Sequence, residues 1–398
     1  MPAPGGPAPV RLASRSTAAL CLGTVASYAA MYVTQPILPV LSSGFGVSPA
    51  TAGLTVSAVV LAVAVGSFVH GPLSDSAGRK AVMVGSSVLL VIPTVACAVS
   101  RTFPELVALR GAQGLLIPGV TAVSVAWAGD HYARGDLRAA VGAIIAASVA
   151  GGLVGRVGSG LVAEHWGWRA PFLFSAALTL LGAAGMAAEL PGDRGAPGAW
   201  RLAFAGMVRH LRDRRLAGGY LLAFWLFFGF IAVFTYLPYR LSGRPWGLST
   251  DAVSSVYLVY LAGVVASPVA GRLAGRVAPE RIMLFGLAVS AAGLAATLLP
   301  SLPWIVAGLG VMVVGTFAAQ ALGPSWVNEA APSAKGGANA LYLAFYYAGG
   351  TLGSFLPGLA WERWGWPGVA AASALALALA AASVAVLCRQ PAGPAAGT

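Results

Sequence analysis

Two arginines stand inside apolar stretches of this 398-residue sequence, where a permanent charge is energetically unfavourable. Arg110 is followed by Gln113 one helical turn later, and Arg156 stands in a glycine-rich run. A charged side chain at the centre of a membrane helix costs about 2.5–3.5 kcal/mol on insertion scales, so it is usually paired or functional. A guanidinium binds carboxylate or phosphate through two parallel hydrogen bonds. We therefore predict that the two arginines form one positive site for an anionic or polar ligand group. The alternative is that both side chains extend to the membrane surface.

Neutral polar side chains in other apolar stretches could complete a site for a small organic solute, because such sites combine aromatic walls with a few polar groups. The candidates are Gln35, Tyr236, Gln320 and Tyr346. Each of them could equally pack against a neighbouring helix or face lipid. The acidic residues lie near the ends of the apolar stretches, so the sequence offers no carboxylate in the middle of the membrane for binding a cation.

No pattern in the sequence supports enzymatic chemistry. The nucleotide-binding loop Gly-x4-Gly-Lys-Ser/Thr is absent, and no catalytic triad is recognisable. The three cysteines, Cys21, Cys97 and Cys388, have neither disulfide nor metal-ligand spacing. We expect no catalytic residue, no metal and no cofactor.

The composition places these residues in a membrane protein. Hydrophobic residues make up 58% of the chain and charged residues only 9%, against about 25% charged residues in soluble domains. Helices are the only plausible spanning element, because the apolar runs lack the alternation of barrel strands. Runs of roughly 20 residues, enough to cross a bilayer, predict an all-α membrane protein of twelve helices. They cover 16–41, 50–70, 80–99, 103–127, 137–163, 169–189, 217–239, 250–270, 280–299, 303–327, 336–360 and 367–388.

The basic residues indicate the orientation of these helices. The net charge is +12, but the arginines and lysines lie between apolar runs, which points to membrane orientation and not to nucleic acid. One set of alternate connections holds most of them. The other set holds only Arg101, Arg169, Arg240, Arg244 and Arg363. The positive-inside rule then predicts that both termini are cytoplasmic. We expect a multi-pass, monomeric protein of the plasma (inner) membrane.

A glycine-rich segment occurs twice and divides the chain into two similar halves. Residues 151–172 match 349–370, including the exit Glu-x-Trp-Gly-Trp. Small residues let neighbouring helix backbones approach closely. Parallel repeats of six spans place a ligand site between the halves, near the middle of the membrane. The matching helix-contact glycines are Gly151, Gly155 and Gly160 in the first copy and Gly349, Gly353 and Gly358 in the second. The predicted parts are a tail (1–15), the first half (16–189), a basic linker (190–216), the second half (217–388) and a second tail (389–398).

The connection between the second and third predicted helices reads GPLSDSAGRK over residues 71–80. It resembles the signature G-x-L-a-D-r-x-G-R-R/K of the major facilitator superfamily. The resemblance implies a bundle of two six-helix, pseudo-symmetric halves, and a cluster that latches the cytoplasmic side in the outward-open state. In this cluster Gly71 permits tight helix contact, Asp75 can pair with Arg79 or cap a helix N-terminus, and Gly78 permits a sharp turn. The residues that match the motif are Gly71, Asp75, Gly78, Arg79 and Lys80.

Two further segments resemble the same superfamily. Arg110 to Gly114 match its R-x-x-Q-G signature, and the glycines after Gly142 resemble the antiporter signature G-x3-G-P-x2-G-G. Arg156 stands at the proline place of that signature, which puts the helix bend that proline favours in doubt. The resemblance is to the bacterial drug:proton antiporter group, with its sugar-efflux-like members. It implies proton-coupled efflux of a small drug, metabolite or sugar. Uptake of an organic anion bound by Arg110 and Arg156, or a non-transporting membrane sensor or lipid-handling scaffold on the same fold, stay open as alternatives.

Overall fold

The computed structural model describes residues 10–12, 14–193, 210–331 and 335–388, and these form a helical protein. The predicted linker 190–216 lies largely outside the described residues, as do most of the first tail and all of the second. The helices are α1 (Arg15–Tyr32), α2 (Leu38–Phe45), α3 (Pro49–Ala77), α4 (Arg79–Val99), α5 (Phe103–His131), α6 (Gly135–Trp166), α7 (Ala170–Glu189), α8 (Arg214–Ser242), α9 (Thr250–Leu273), α10 (Pro279–Ala296), α11 (Leu302–Ala330), α12 (Lys335–Trp364) and α13 (Trp366–Val386).

Ten of these helices are long and apolar enough to cross a membrane, within the part of the chain that the structure describes. The pair α1 and α2 and the helix α12 occupy the places of the two remaining predicted spans. The prediction of an all-helical membrane protein is therefore confirmed. Long apolar runs are a local property of the sequence, which is why they predict helices well.

The first predicted span is not one continuous helix. The prediction of a helix over 16–41 is wrong between residues 33 and 37, where the chain leaves the helix before α2 begins. Pro36 explains the break, since it has no backbone N–H and disfavours helical geometry in the residue before it. Gln35 stands directly before this proline. The break therefore presents backbone and polar side chains at a point that the hydropathy pattern treats as helix.

The connection between α3 and α4 is tighter than predicted. α3 continues to Ala77, and Gly78 alone separates it from Arg79, the first residue of α4. Gly78 has φ +93°, a backbone conformation that favours glycine. Gly71 lies within α3, and an added Cβ there would meet no atom within 4 Å. The close helix contact that the motif led us to expect at Gly71 is therefore not observed.

A π-helical turn interrupts α6 over Val154–Gly158. Such turns bend helices and expose backbone groups, and they are frequent at functional sites. Arg156 lies in the middle of this turn. The antiporter signature has a proline at this position, which would bend the helix. This helix instead has a π-helical turn there.

The chain folds into two compact units. The first contains residues 1–199 and 234–258, and the second contains residues 200–233 and 259–398. α8 therefore begins in the second unit and ends in the first. The division into halves at the linker 190–216 stays a prediction.

In the first unit, the glycine-rich face of α6 packs against α1. A Cβ at Gly151 would lie 2.5 Å from the carbonyl oxygen of Val25, and one at Gly155 would lie 2.5 Å from that of Ala29. Either distance is a steric clash, so only glycine permits this approach. Farther along α6, Gly160 lies against the side chain of Ser254.

The second unit repeats this packing between α12 and α8. A Cβ at Gly349 would clash with the carbonyl oxygen of Phe224, and one at Gly353 would clash with that of Phe228. Gly358 is buried. The spacing of four residues in both pairs places the glycines on one face of each helix, where the neighbouring backbone can enter.

Candidate functional site

Arg110 holds the end of the first helix. Its side chain is completely buried and donates hydrogen bonds to the carbonyl oxygens of Ala30 (Nη1, 2.8 Å), Met31 (Nη2, 2.6 Å) and Thr55 (Nε, 3.2 Å). The first two lie in the last turn of α1, where carbonyls lack an intrahelical partner because the helix ends at Tyr32. The helix dipole also favours a cation at this end. Arg110 thus caps α1 and joins it to α3.

Gln113 extends this network to α4. Nη1 of Arg110 donates to Oε1 of Gln113 (2.7 Å), and the Gln113 amide nitrogen donates to the hydroxyl oxygen of Thr94 (2.7 Å). The thiol of Cys97 lies 3.7 Å from the same amide oxygen. Arg110 and Gln113 therefore connect α5 with three other helices, through polar groups that are all buried.

Arg156 occupies a site built from side chains. It is 2% exposed, and its Nε donates to Oε1 of Gln35 (2.6 Å) while Nη1 donates to the carbonyl oxygen of Gly152 (2.9 Å). Its guanidinium carbon lies 3.7 Å from the ring centroid of Tyr32 and 5.6 Å from that of Tyr257. An aromatic face attracts a cation through its quadrupole. These four contacts of the buried cation are all with neutral groups.

Polar groups surround Gln35 and Arg156. The Gln35 amide nitrogen donates to the hydroxyl oxygen of Thr235 (3.2 Å), and both residues belong to the first unit. The hydroxyl oxygens of Thr34, next to Gln35, and of Ser159, about one turn after Arg156, are buried without a hydrogen-bond partner among the described residues. Such atoms are rare, and a water molecule or a ligand can supply the missing partner.

The two arginines do not share a site in these contacts. Arg110 binds the backbone of α1 up to Met31, whereas Arg156 contacts the side chains of Tyr32 and Gln35. The prediction of one positive site made of both is therefore not supported. The reason is that Arg110 binds carbonyl groups at the end of α1, whereas Arg156 contacts side chains, which point away from the helix axis. We keep Arg156 as a ligand candidate and assign Arg110 a packing role.

Tyr236 is also in the first unit, where it is completely buried and stacks on Tyr239, with 6.1 Å between the ring centroids. The Tyr239 hydroxyl donates to the carbonyl oxygen of Leu38 (3.1 Å) and is hydrogen-bonded to the hydroxyl of Ser42 (2.5 Å). These contacts join the end of α8 to α2. The role of Tyr236 as a ligand group stays a prediction.

The second unit contains its own polar and aromatic group. The Gln320 amide nitrogen on α11 donates to the hydroxyl oxygen of Tyr346 on α12 (2.9 Å). The Tyr346 ring stacks on Phe227 with 3.8 Å between the centroids and 11° between the planes. The hydrogen bond orients both side chains. An ordered aromatic surface with one polar edge suits an organic ligand.

The turn between α3 and α4 holds a cluster of charges. Nε of Arg79 lies 2.6 Å from the carboxylate of Asp130 on α5, and its Nη2 lies 3.6 Å from that of Asp75. The pair of Asp75 and Arg79 is one of the two arrangements that the motif suggested. Arg79 thus joins the end of α3 to the end of α5.

Asp193 is a member of this cluster that the sequence analysis missed. Its carboxylate accepts the backbone N–H groups of Arg79 (2.7 Å) and Lys80 (3.0 Å), so it caps the N-terminus of α4. Nζ of Lys80 donates to the carbonyl oxygen of Leu190 (2.6 Å). The cap comes from more than 100 residues away in sequence, so no local pattern could indicate it. The only available signal was an acidic residue directly after a span.

Comparison with known proteins agrees with this architecture. The family model described as Major Facilitator Superfamily matches residues 20–263 and 244–397. The chain is 35% identical over 360 residues to the inner membrane transport protein YnfM of Escherichia coli, covering 90% of this chain and 86% of that protein. It is 31% identical over 346 residues to the uncharacterized MFS-type transporter YybF of Bacillus subtilis, covering 86% of each.

Solved structures show the same fold at low sequence identity. A D-xylose-proton symporter superposes with a TM-score of 0.74 at 17% identity, covering 92% of this chain and 96% of that one. A bacterial homologue of the human lysosomal transporter Spinster superposes with a TM-score of 0.73 at 18% identity, covering 94% of both chains. The helical architecture and the matched family together show that this chain belongs to the Major Facilitator Superfamily and is a secondary transporter, not an enzyme.

Proposed function

We propose that this transporter exports a small organic solute that carries an acidic group, in exchange for protons, and that Arg156 binds the acidic group. The observation that carries the proposal is the buried Arg156 guanidinium, held by Gln35 and by the face of Tyr32 inside a membrane helix. A charged side chain inside a membrane helix is energetically costly, and such residues usually mark a functional site. Guanidinium is well suited to a carboxylate, because it presents a planar fork of donors.

The surroundings of Arg156 support a ligand group larger than a single ion. The hydroxyls of Thr34 and Ser159 lack partners among the described residues and lie next to Gln35 and about one turn from Arg156, respectively. Hydroxyl groups can donate to a carboxylate or accept from a hydroxyl of the solute. The aromatic rings of Tyr32 and Tyr257 supply apolar area beside the charge. This combination suits a small organic acid with a polar substituent.

Arg110 is excluded from the proposed site by its own hydrogen bonds. Nε and both Nη atoms already donate to three backbone carbonyls and to Gln113. Recruiting this guanidinium to a solute would leave buried carbonyls without a donor, which costs about 1–3 kcal/mol for each group. The proposed recognition of the acid therefore depends on Arg156 alone.

The direction of transport and the role of protons rest on the resemblance of the α6 glycines to an antiporter signature. The excess of arginine in alternate connections supports cytoplasmic termini. The similarity to a protein named as an inner membrane transport protein supports the same membrane for this chain. Protons are the proposed coupling ion, and a monomer is the proposed functional unit.

The experiment is solute flux in vesicles that contain the purified protein, with a pH gradient imposed in each direction. The probes are labelled small carboxylic acids, and the controls are the corresponding neutral amides. Export by antiport predicts that solute moves in the direction opposite to the proton flow and that its flux collapses when the pH gradient is dissipated. It also predicts that the acids are preferred to the amides. Equal flux of acids and amides would contradict the role given to Arg156.

Variants of Arg156 test the site directly. Arg156→Lys keeps the charge but loses the planar fork, and we expect its flux of acids to fall about tenfold, as for the loss of about 1.4 kcal/mol of binding. Arg156→Gln should lose more. Arg101→Gln is the matched control, because Arg101 is exposed and its substitution removes the same charge. Full flux of acids by a correctly inserted Arg156→Gln protein would reject the site.

Uptake of the same organic acids is the second candidate, because Arg156 can bind an anion whichever way the solute moves. The vesicle experiment separates the two functions. Uptake coupled to protons predicts accumulation of solute on the side toward which protons flow, which is opposite to the outcome for antiport. A protein that supports no gradient-driven flux of any probe would instead favour a sensor or scaffold.

A further inference from the structure

The second unit contains a cavity that no part of the proposed transport function uses. It has a volume of about 850 Å³ and lies where α8 and α10 begin and where α11 and α13 end. The arginine distribution predicts that this end of the helices is cytoplasmic. The cavity is therefore at the level of the lipid headgroups, and its volume suits a small-molecule group.

Charged residues of both signs line this cavity. Arg215 and Arg281 contribute two positive charges, and Glu280 and Glu329 contribute two negative charges. Among the residues that the structure describes, the lining is thus balanced in charge. A purely anionic ligand would meet two carboxylates, and a purely cationic ligand would meet two guanidiniums. A ligand that carries one group of each sign avoids both penalties.

Arg215 and Glu280 are ordered by the same tryptophan. The Trp326 indole N–H donates to Oε1 of Glu280 (2.7 Å), and the guanidinium carbon of Arg215 lies 5.3 Å from a Trp326 ring centroid. Nε of Arg215 is buried and has no hydrogen-bond acceptor among the described residues. A buried donor of a charged group without an acceptor is unfavourable, and an anionic oxygen in the cavity would satisfy it.

We propose that this cavity binds the headgroup of a phosphatidylethanolamine molecule from the inner leaflet. The phosphate would accept from Arg215 and Arg281, since guanidinium binds phosphate oxygens well. The primary ammonium would donate to the carboxylates of Glu280 and Glu329. A choline headgroup has no N–H to donate, and a glycerol headgroup has no positive charge.

The acyl chains have an apolar surface beside the cavity. Leu284 and Val384 belong to its lining, and their sequence neighbourhood includes Phe285 and Val386, which are 70% and 61% exposed. Exposed apolar side chains of this size on membrane helices are covered by lipid. A lipid with its headgroup in the cavity can therefore place its chains along α10 and α13.

The experiment measures lipid retention by the full-length protein, through native mass spectrometry of detergent-purified protein titrated with phosphatidylethanolamine, phosphatidylglycerol or phosphatidylcholine. We expect phosphatidylethanolamine to bind at least about tenfold more tightly than the other two lipids. Glu280→Gln should remove this preference, and Arg215→Gln should weaken the binding of phosphatidylethanolamine. Arg276→Gln is the control, since Arg276 is exposed and does not line the cavity.

Two results would overturn the proposal. One is equal retention of the three lipids by the wild-type protein, and the other is an unchanged preference in the Glu280→Gln protein. If Glu280→Gln does not fold, Glu329→Gln provides the test, because the Glu329 side chain is exposed and its loss should still weaken phosphatidylethanolamine binding. Lipid retention does not depend on solute flux, so its outcome is independent of the proposed transport function.

Discussion

The glycine-rich segment of α6 and its copy in α12 meet their neighbouring helices through the same positions. Gly151 and Gly155 admit the backbone of α1, and Gly349 and Gly353 admit the backbone of α8. At the place of Arg156, however, the second copy has Ser354. α12 is α-helical throughout, whereas α6 contains a π-helical turn. The glycines that both copies share form the close helix contacts, and the position that differs holds Arg156, the candidate ligand-binding residue.

The same contrast extends to the helices beside the two copies. α5 contains Arg110, which caps α1, whereas α11 has no arginine or lysine. Among its described residues, the first unit therefore has two buried arginines, of which one supports the fold and the other contacts side chains. Both residues are arginines within apolar stretches of the sequence. Their roles differ because one meets the open end of a helix and the other meets an amide and aromatic rings.

The largest effect is expected for Arg110→Gln. The substitution leaves the carbonyls of Ala30, Met31 and Thr55 buried without their donor, at about 1–3 kcal/mol each. We expect the free energy of unfolding to fall by about 3 kcal/mol or more, measured as a large drop in melting temperature or as loss of folded protein in detergent. An Arg110→Gln protein that melts like wild type would show that the cap is dispensable.

The next effect tests what the two copies share. Gly155→Val and Gly353→Val each place atoms against a backbone carbonyl, and overpacking of this kind costs about 1–3 kcal/mol. We expect similar losses of thermal stability in both proteins. Gly142→Val on α6 is the matched control, because a Cβ there meets no atom within 4 Å. A stable Gly353→Val protein beside an unstable Gly155→Val protein would break the symmetry between the copies.

Arg156→Ser gives the first copy the residue type of the second and separates stability from transport. It removes the donor to Gln35, so we expect a loss of about 1 kcal/mol, smaller than for Arg110→Gln. Thermal melts of the two variants side by side make this comparison. A loss as large as that of Arg110→Gln would mean that Arg156 is chiefly a packing residue, and it would weaken the proposed acid site.

The smallest effect is expected for Glu164→Ala at the end of the first copy. The Glu164 carboxylate accepts the backbone N–H of Thr250 (2.8 Å) and so caps the N-terminus of α9. Loss of a helix cap costs about 0.5–2 kcal/mol, and we expect the lower end because Glu164 is exposed. Hydrogen exchange at the start of α9 should increase. Unchanged exchange there would show that this cap adds no measurable stability.

The sequence by itself determined the class of the protein, the places of its membrane helices and the existence of two copies. Each of these depends on features that short stretches carry, such as apolar runs of about 20 residues or glycines four residues apart. The positive φ of Gly78 followed from the motif in the same way. The break after Tyr32 had a local signal in Pro36, which the apolarity of the surrounding run concealed.

Only the tertiary structure decided which side chains act together. Asp193 caps α4, and Asp130 pairs with Arg79. Arg110 donates to carbonyl groups at the C-terminus of α1, about 80 residues earlier in the chain. Hydropathy places a residue in the membrane but does not give its direction around the helix axis or the neighbour it meets. Those depend on how helices distant in sequence cross, and in this protein close crossings at glycine decide them.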